Sequence, residues 1–187
     1  MNAILAIGKK SVYFEKTICD MARIFTAIKL SDDFKQSLGE LQNELRNRGV
    51  GGYYAKYQNL HLTLTFIGNV PEEQLVSVQK AVSEVKFEPF EICTDHMGFF
   101  NNDEAKVLWM GLEKNDILEN MVTCLKERLM ANGVAFQHKD FKAHITLVSK
   151  PTEFITDLNV VKKKMTVNKI SVMETVVANN RVQFVER

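Results

Sequence analysis

The sequence predicts an α+β fold. Strand-like and helix-like patterns follow one another as strand, helix, strand, helix, strand, strand, helix, strand and then further strands. Two polar clusters sit between strand patterns like hairpin turns. The 187 residues are 45% hydrophobic and 25% charged, which suits one domain, or two small fused lobes, with a sizeable core.

Residues 22–30 carry Ile24, Phe25, Ala27, Ile28 and Leu30 and read as a mostly buried strand. Ser31, Asp32 and Asp33 then offer an N-cap and an acidic first turn, which suit the positive end of a helix dipole. Phe34, Leu38, Leu41 and Leu45 recur at three- and four-residue spacing, so a helix buries one face and stops at Gly49. A turn at 49–52 and a short strand at 53–57 lead into a strong strand at 60–67, closed by Gly68 and Asn69. Pro71 suits a first helical turn, and Leu75, Val78, Val82 and Val85 carry the second helix. Strands are expected at 90–93 and 107–112, with a polar turn at 101–104. The third helix spans 115–131, capped by Asn115 or Asp116, with Ile117, Met121, Leu125 and Leu129 on one face and Asn132-Gly133 ending it. A strand at 143–148 follows, and segments 169–177 and 182–185 read as a closing hairpin.

Composition narrows the function classes. A net charge of +1 gives no global field for nucleic acid, yet it leaves room for a local site for one phosphate. Cys19, Cys93 and Cys124 are far apart and include no CxxC pair, which argues against a disulfide framework or a zinc cage and fits a reducing, cytoplasmic setting. No apolar run reaches membrane-spanning length, and no membrane or obligate protein partner is indicated. Residues 1–20 lack both a signal-peptide pattern and a core-like one, so they read as a dispensable extension to a domain at 21–187.

One internal echo carries the chemistry: HLTL at residues 61–64 and HITL at 144–147. Side chains alternate along a strand, so His61 and Thr63 share one face while Leu62 and Leu64 share the other. His144 and Thr146 stand against Ile145 and Leu147 in the same way. Hydrolysing a phosphodiester without a metal needs one imidazole to take a proton from water and another to give one to the departing oxygen. Hydrogen-bond donors must also hold the non-bridging oxygens as charge shifts, and the two threonine hydroxyls suit that task. A lone His-x-Thr in a strand usually means nothing. Two copies among four histidines, each in a strong strand, argue against coincidence. His96 and His138 stand outside the motif and read as structural or solvated, and Lys162, Lys163 and Lys164 as a solvated turn. Trp109, Phe99, Phe100, Tyr57 and Phe66 are able to stack a base, but aromatics in strands more often pack cores.

This pattern resembles the 2H phosphoesterase superfamily, defined by two His-x-Thr/Ser-x motifs, and most closely its RNA 2′,3′-cyclic phosphodiesterase branch (LigT-like, historically 2′-5′ RNA ligase). The resemblance rests also on RIFTAIKL, NLHLTLTFIGNV, PEEQL, KVLWMGL and FKAHITL, in order over about residues 21–150. It implies a bilobal fold, with two pseudo-symmetric lobes of antiparallel sheet and flanking helices around a central cleft. It further implies hydrolysis of cyclic phosphate ends to 2′-phosphates with no metal and no cofactor. On this resemblance His61 is the proton donor to the 3′ oxygen, His144 the base on water, and Thr63 and Thr146 the phosphate holders. The family's arginine two residues beyond the second motif is Ser149 here, which leaves Lys142 and Lys150 as candidate replacements.

The leading expectation is therefore an enzyme acting on RNA ends or nucleotides that carry a 2′,3′-cyclic phosphate. Its rivals are a 2′-5′ phosphodiesterase or a small cyclic-nucleotide phosphodiesterase of the same superfamily, and a non-catalytic RNA-end binding module. Two titrating imidazoles speak against the last, since binding alone does not need them.

Overall fold

A computed structural model describes residues 21–103, 105–178 and 181–187. The expected extension at 1–20, with Cys19, lies outside the described residues, as does the tip of the closing hairpin. The chain folds as β1 (Met21–Lys29), α1 (Asp32–Asn47), β2 (Tyr53–Tyr54), β3 (His61–Pro71), α2 (Glu72–Ser83), β4 (Phe90–Asn101), β5 (Lys106–Leu112), α3 (Asp116–Ala131), β6 (His144–Ser149), β7 (Lys164–Val167), β8 (Ser171–Ala178) and β9 (Arg181–Glu186). A 3-10 turn at Tyr57–Asn59 precedes β3. The strands form two antiparallel sheets, ordered β3-β1-β8-β9 and β2-β6-β5-β4-β7. The expected α+β class is thus observed, with two sheets and three helices among the described residues.

α1 and α3 form where apolar spacing and caps predict them, whereas α2 starts after Pro71, which closes β3 at the N-cap, and ends at Ser83, leaving Val85 buried beyond it. The Ser31 hydroxyl accepts from the Phe34 amide, and Phe34, Leu38, Leu41 and Leu45 are buried on one face of α1. Asn115 caps α3 through the Leu118 amide. The buried face of α3 differs by one residue from the expected one: Ile117 is 53% exposed and Leu118 is buried in its place, next to Met121, Leu125 and Leu129. One apolar core runs between the helices and both sheets, with Leu62, Leu64, Ile145 and Leu147 all buried within it.

Three strand expectations and one turn expectation need correction. The short strand expected at 53–57 is Tyr53–Tyr54 alone, and Tyr57 opens the 3-10 turn. β3 continues through Gly68 and Asn69 to Pro71. Gly68 adopts φ 102°, which glycine tolerates, and an extra residue at Ile67 lets the pairing with β1 resume instead of ending. β4 extends from Cys93 to Asn101, carried past the polar Asp95-His96 by an irregularity between Thr94 and Met97. The three lysines at 162–164 are largely solvated, as expected, but they are ion-paired and lead into a strand where a turn was expected. Lys162 bridges Asp95 and Glu113 at 2.7 and 2.8 Å, Lys163 faces Asp33 at 3.8 Å, and Lys164 opens β7 and faces Glu91 at 3.5 Å.

Among the described residues, β3 is the edge of its sheet, and β6 is covered on one side only by the two-residue β2. These two strands contact one another across the gap between the sheets, so the fold brings both HxTL motifs to one seam.

Candidate active site

The seam opens into a cavity of about 800 Å³ whose wall includes His61, Thr63, His144 and Thr146. All four expected site residues therefore meet, two from each sheet. Local geometry is repeated on the two sides. In both strands the burial pattern begins half-buried, buried, half-buried, buried, buried, which is the alternation expected for HxTL. In both, the motif's leucine is an extra residue in the ladder: Leu64 is skipped between the Thr26–Thr65 and Ala27–Thr63 pairs, and Leu147 between Leu108–Val148 and Trp109–Thr146. Such a bulge bends the strand and resets which side chains face the cleft. It explains why Ser149, of opposite parity to His144, also lines the cavity.

Each imidazole is fixed in the same manner. His61 Nδ1–H donates to the Asn59 carbonyl at 2.7 Å, and His144 Nδ1–H donates to the Lys142 carbonyl at 2.6 Å. A carbonyl can only accept, so Nδ1 carries the proton and Nε2 is left to exchange one. Thr63 Oγ1 lies 2.8 Å from His61 Nε2, donating to the neutral ring or accepting from the charged one. Aromatic rings hold each imidazole in place. Phe25 and Phe184 pack on His61 at 5.0 and 4.9 Å, and Phe100 and Trp109 on His144 at 5.0 and 6.1 Å.

These surroundings shift both pKa values below the ordinary imidazole value of 6.5. Burial is the main cause for each, opposed by the backbone carbonyl on Nδ1. Repulsion from His144 lowers His61 further, and the Lys142 ammonium lowers His144. Two imidazoles that repel one another are seldom charged together, which favours the state holding a single proton.

The remaining candidates sort clearly. His96 and His138 are exposed, the first bonded to Asp95 at 2.8 Å and the second packed at a tilt against Phe136, with ring centroids 4.5 Å apart. Trp109 is 2% exposed and packs beneath His144. Trp109, Phe99, Phe100, Tyr57 and Phe66 are absent from the cavity wall, where Tyr53, Tyr54 and Phe184 stand instead. Lys142 sits over the Trp109 ring at 4.3 Å, and Lys150 leaves β6 in a left-handed conformation, φ 49°. Neither lines the cavity; Lys56 and Arg181 do. Sequence reasoning missed both cations because no motif surrounds them. Among the described residues, no group of three or more His, Cys, Asp or Glu side chains is placed to hold a metal ion.

The LigT-like phosphoesterase family model matches residues 28–109, a span that holds the first motif. An Archaeoglobus fulgidus protein named RNA 2′,3′-cyclic phosphodiesterase is 35% identical over 127 residues, covering 67% of this chain and 70% of that protein. The chain belongs to the LigT-like phosphoesterase family. A Thermotoga maritima family member of the same name is 30% identical over 128 residues, covering 67% of this chain and 68% of its own length. The fold is that of LigT from Escherichia coli in its apo form, with a TM-score of 0.76 and 20% identity over 90% of this chain and 95% of the other. The LigT-like fold as a whole is therefore present, two sheets flanking a seam. Among the described residues, no helix is long and apolar enough to cross a membrane.

Proposed function

We propose that the chain is an RNA 2′,3′-cyclic phosphodiesterase that hydrolyses cyclic phosphate ends to 2′-phosphates without a metal or cofactor. The observation that carries this reading is the pair of imidazoles that two different sheets bring to one cavity, each with Nδ1 committed to a carbonyl and Nε2 left for proton exchange. The names of the curated relatives support the substrate class.

In this mechanism the cyclic phosphorus lies between the two walls. His144 Nε2 takes a proton from water as the water oxygen bonds to phosphorus. The bond from phosphorus to the 3′ oxygen breaks, and protonated His61 gives its Nε2 proton to that oxygen. A 2′-phosphate and a 3′-hydroxyl result. Placing a donor and an acceptor on opposite sides of phosphorus suits attack and departure in line. Thr63 and Thr146 donate to the non-bridging oxygens as charge grows on them. Burial lowers both rings alike, so the assignment of acid to His61 and base to His144 follows the family resemblance.

The test is incubation of purified protein, in EDTA, with an RNA ending in a 2′,3′-cyclic phosphate. The reading expects quantitative conversion to the 2′-phosphate. Activity abolished by chelation and restored by zinc or manganese would move the reading to a metal-assisted hydrolase. Cleavage of a 2′-5′ linkage with no action on the cyclic end would favour the 2′-5′ phosphodiesterase alternative.

A further inference from the structure

The half-buried histidines and threonines already supply contacts for one phosphate, yet the same cavity carries two exposed cations, Lys56 and Arg181. Among the described residues, no aspartate or glutamate lines it. Ion pairing elsewhere on the molecule engages Lys29, Arg48, Lys162, Lys163, Lys164, Lys169 and Arg187, whereas Lys56 and Arg181 have no carboxylate partner among the described residues. The backbone holds both beside His61. Lys56 precedes the 3-10 turn, whose last residue, Asn59, accepts from His61 Nδ1 at 2.7 Å. The same Asn59 donates its Nδ2–H to the Val182 carbonyl at 3.0 Å, which fixes the start of β9 and hence Arg181 against the turn. The turn is anchored in addition by Tyr57, whose hydroxyl donates to the Asp32 carbonyl at 3.0 Å. At about 800 Å³ the cavity lies in the upper part of the roughly 300–1,000 Å³ range of small-molecule pockets.

We infer that Lys56 and Arg181 form a second anion subsite, which holds the phosphodiester joining the terminal nucleotide to the rest of the RNA. The inference rests on the proposed cyclic phosphodiesterase reading and narrows its substrate to RNA ends in preference to cyclic mononucleotides. Exposed cations suit a phosphate that stays partly solvated, while the reacting phosphate lies deeper with the imidazoles. Arginine presents a planar fork of donors that matches two phosphate oxygens at once, and lysine adds a point charge.

The experiment compares adenosine 2′,3′-cyclic phosphate, which has no 5′ phosphate, with the dinucleotide adenylyl-adenosine 2′,3′-cyclic phosphate. The native chain should favour the dinucleotide in kcat/KM by about tenfold to a hundredfold, the effect of hydrogen bonds to a charged group. Arg181→Ala and Lys56→Ala should each bring that ratio down towards one, and Arg181→Lys should keep part of it. A native ratio near one, or variants that lower both substrates equally, would overturn the subsite and return these cations to the reacting phosphate. A binding measurement separates the subsite from the reaction. The chain should hold adenosine 2′,5′-bisphosphate at least tenfold more tightly than adenosine 2′-phosphate, with the gap closed in Arg181→Ala. If neither cyclic substrate turned over while this gap persisted, the reaction would be wrong and the subsite right. Equal affinity for the two ligands would remove the subsite whatever the activity.

Discussion

His61 and His144 each make a neutral ring the favoured form, because burial penalises the imidazolium more than the carbonyl on Nδ1 favours it. Two consequences follow at this scale. In the unfolded chain both rings return to about 6.5, so as pH falls the unfolded state binds protons first. Their contribution to stability is present above about 6.5 and is lost as pH drops towards the lower folded values. Denaturant midpoints measured from pH 7.5 to 5 should therefore fall, and less steeply in His61→Gln; equal slopes would contradict the buried, neutral state. The second consequence is kinetic. The bell of kcat/KM against pH, which reports the free enzyme, should have both limbs displaced to the acid side of an ordinary imidazole pair, with apparent values that belong to the pair. His61→Ala or His144→Ala should each lower turnover by about two to four orders of magnitude, the usual share of a general acid or base. Thr63→Ala or Thr146→Ala should cost about 10- to 1000-fold through lost hydrogen bonds to the phosphate.

At the scale of elements, the site depends on two supports away from the imidazoles. Gln42 of α1 is 4% exposed and donates to the carbonyls of Ala55 and Leu147, both at 2.9 Å, tying β6 and the approach to the 3-10 turn to one helix. Gln42→Ala leaves those carbonyls without that donor and should cost about 1–3 kcal/mol, read as a lowered denaturant midpoint. Gly98 of β4 faces Trp109 so closely that an added methyl would overlap the indole ring. Gly98→Ala should destabilise by about 1–3 kcal/mol, as overpacking does, and lower turnover as Trp109 shifts beneath His144. Normal turnover in that variant would show that the indole does not position the ring. The two HxTL strands were legible because they alternate, and the helices because their caps and apolar spacing agree. The rest of β4 was not, because Asp95, His96 and Gly98 interrupt its apolar pattern while the ladder with β5 carries it through the irregularity. The bulges at Leu64 and Leu147 were equally invisible, since a bulge is a property of a pair of strands.

For the whole molecule, the sheets assemble from distant parts of the chain. β8 and β9 close the sheet that begins with β1 and β3, and the middle of the chain builds the other. That topology sets the edge strand β3 against β6 and delivers Arg181 to the cavity from near the end of the sequence. The motif pair was legible locally as two short repeats. The cations that line the same cavity were not, because only the sheet order brings them there, and Lys142 and Lys150, near in sequence, proved to be occupied elsewhere or outside the strand. We propose that His61 and His144 act as a matched acid and base. That pairing is tested most directly by single-turnover rates of His61→Ala and His144→Ala on a phosphodiester whose leaving group is nitrophenolate, which departs without a proton. His61→Ala should recover most of the rate it loses on an RNA cyclic phosphate, and His144→Ala should not. Rescue of His144→Ala alone would exchange the two roles, and rescue of neither would contradict the account, leaving the histidines to bind phosphate only.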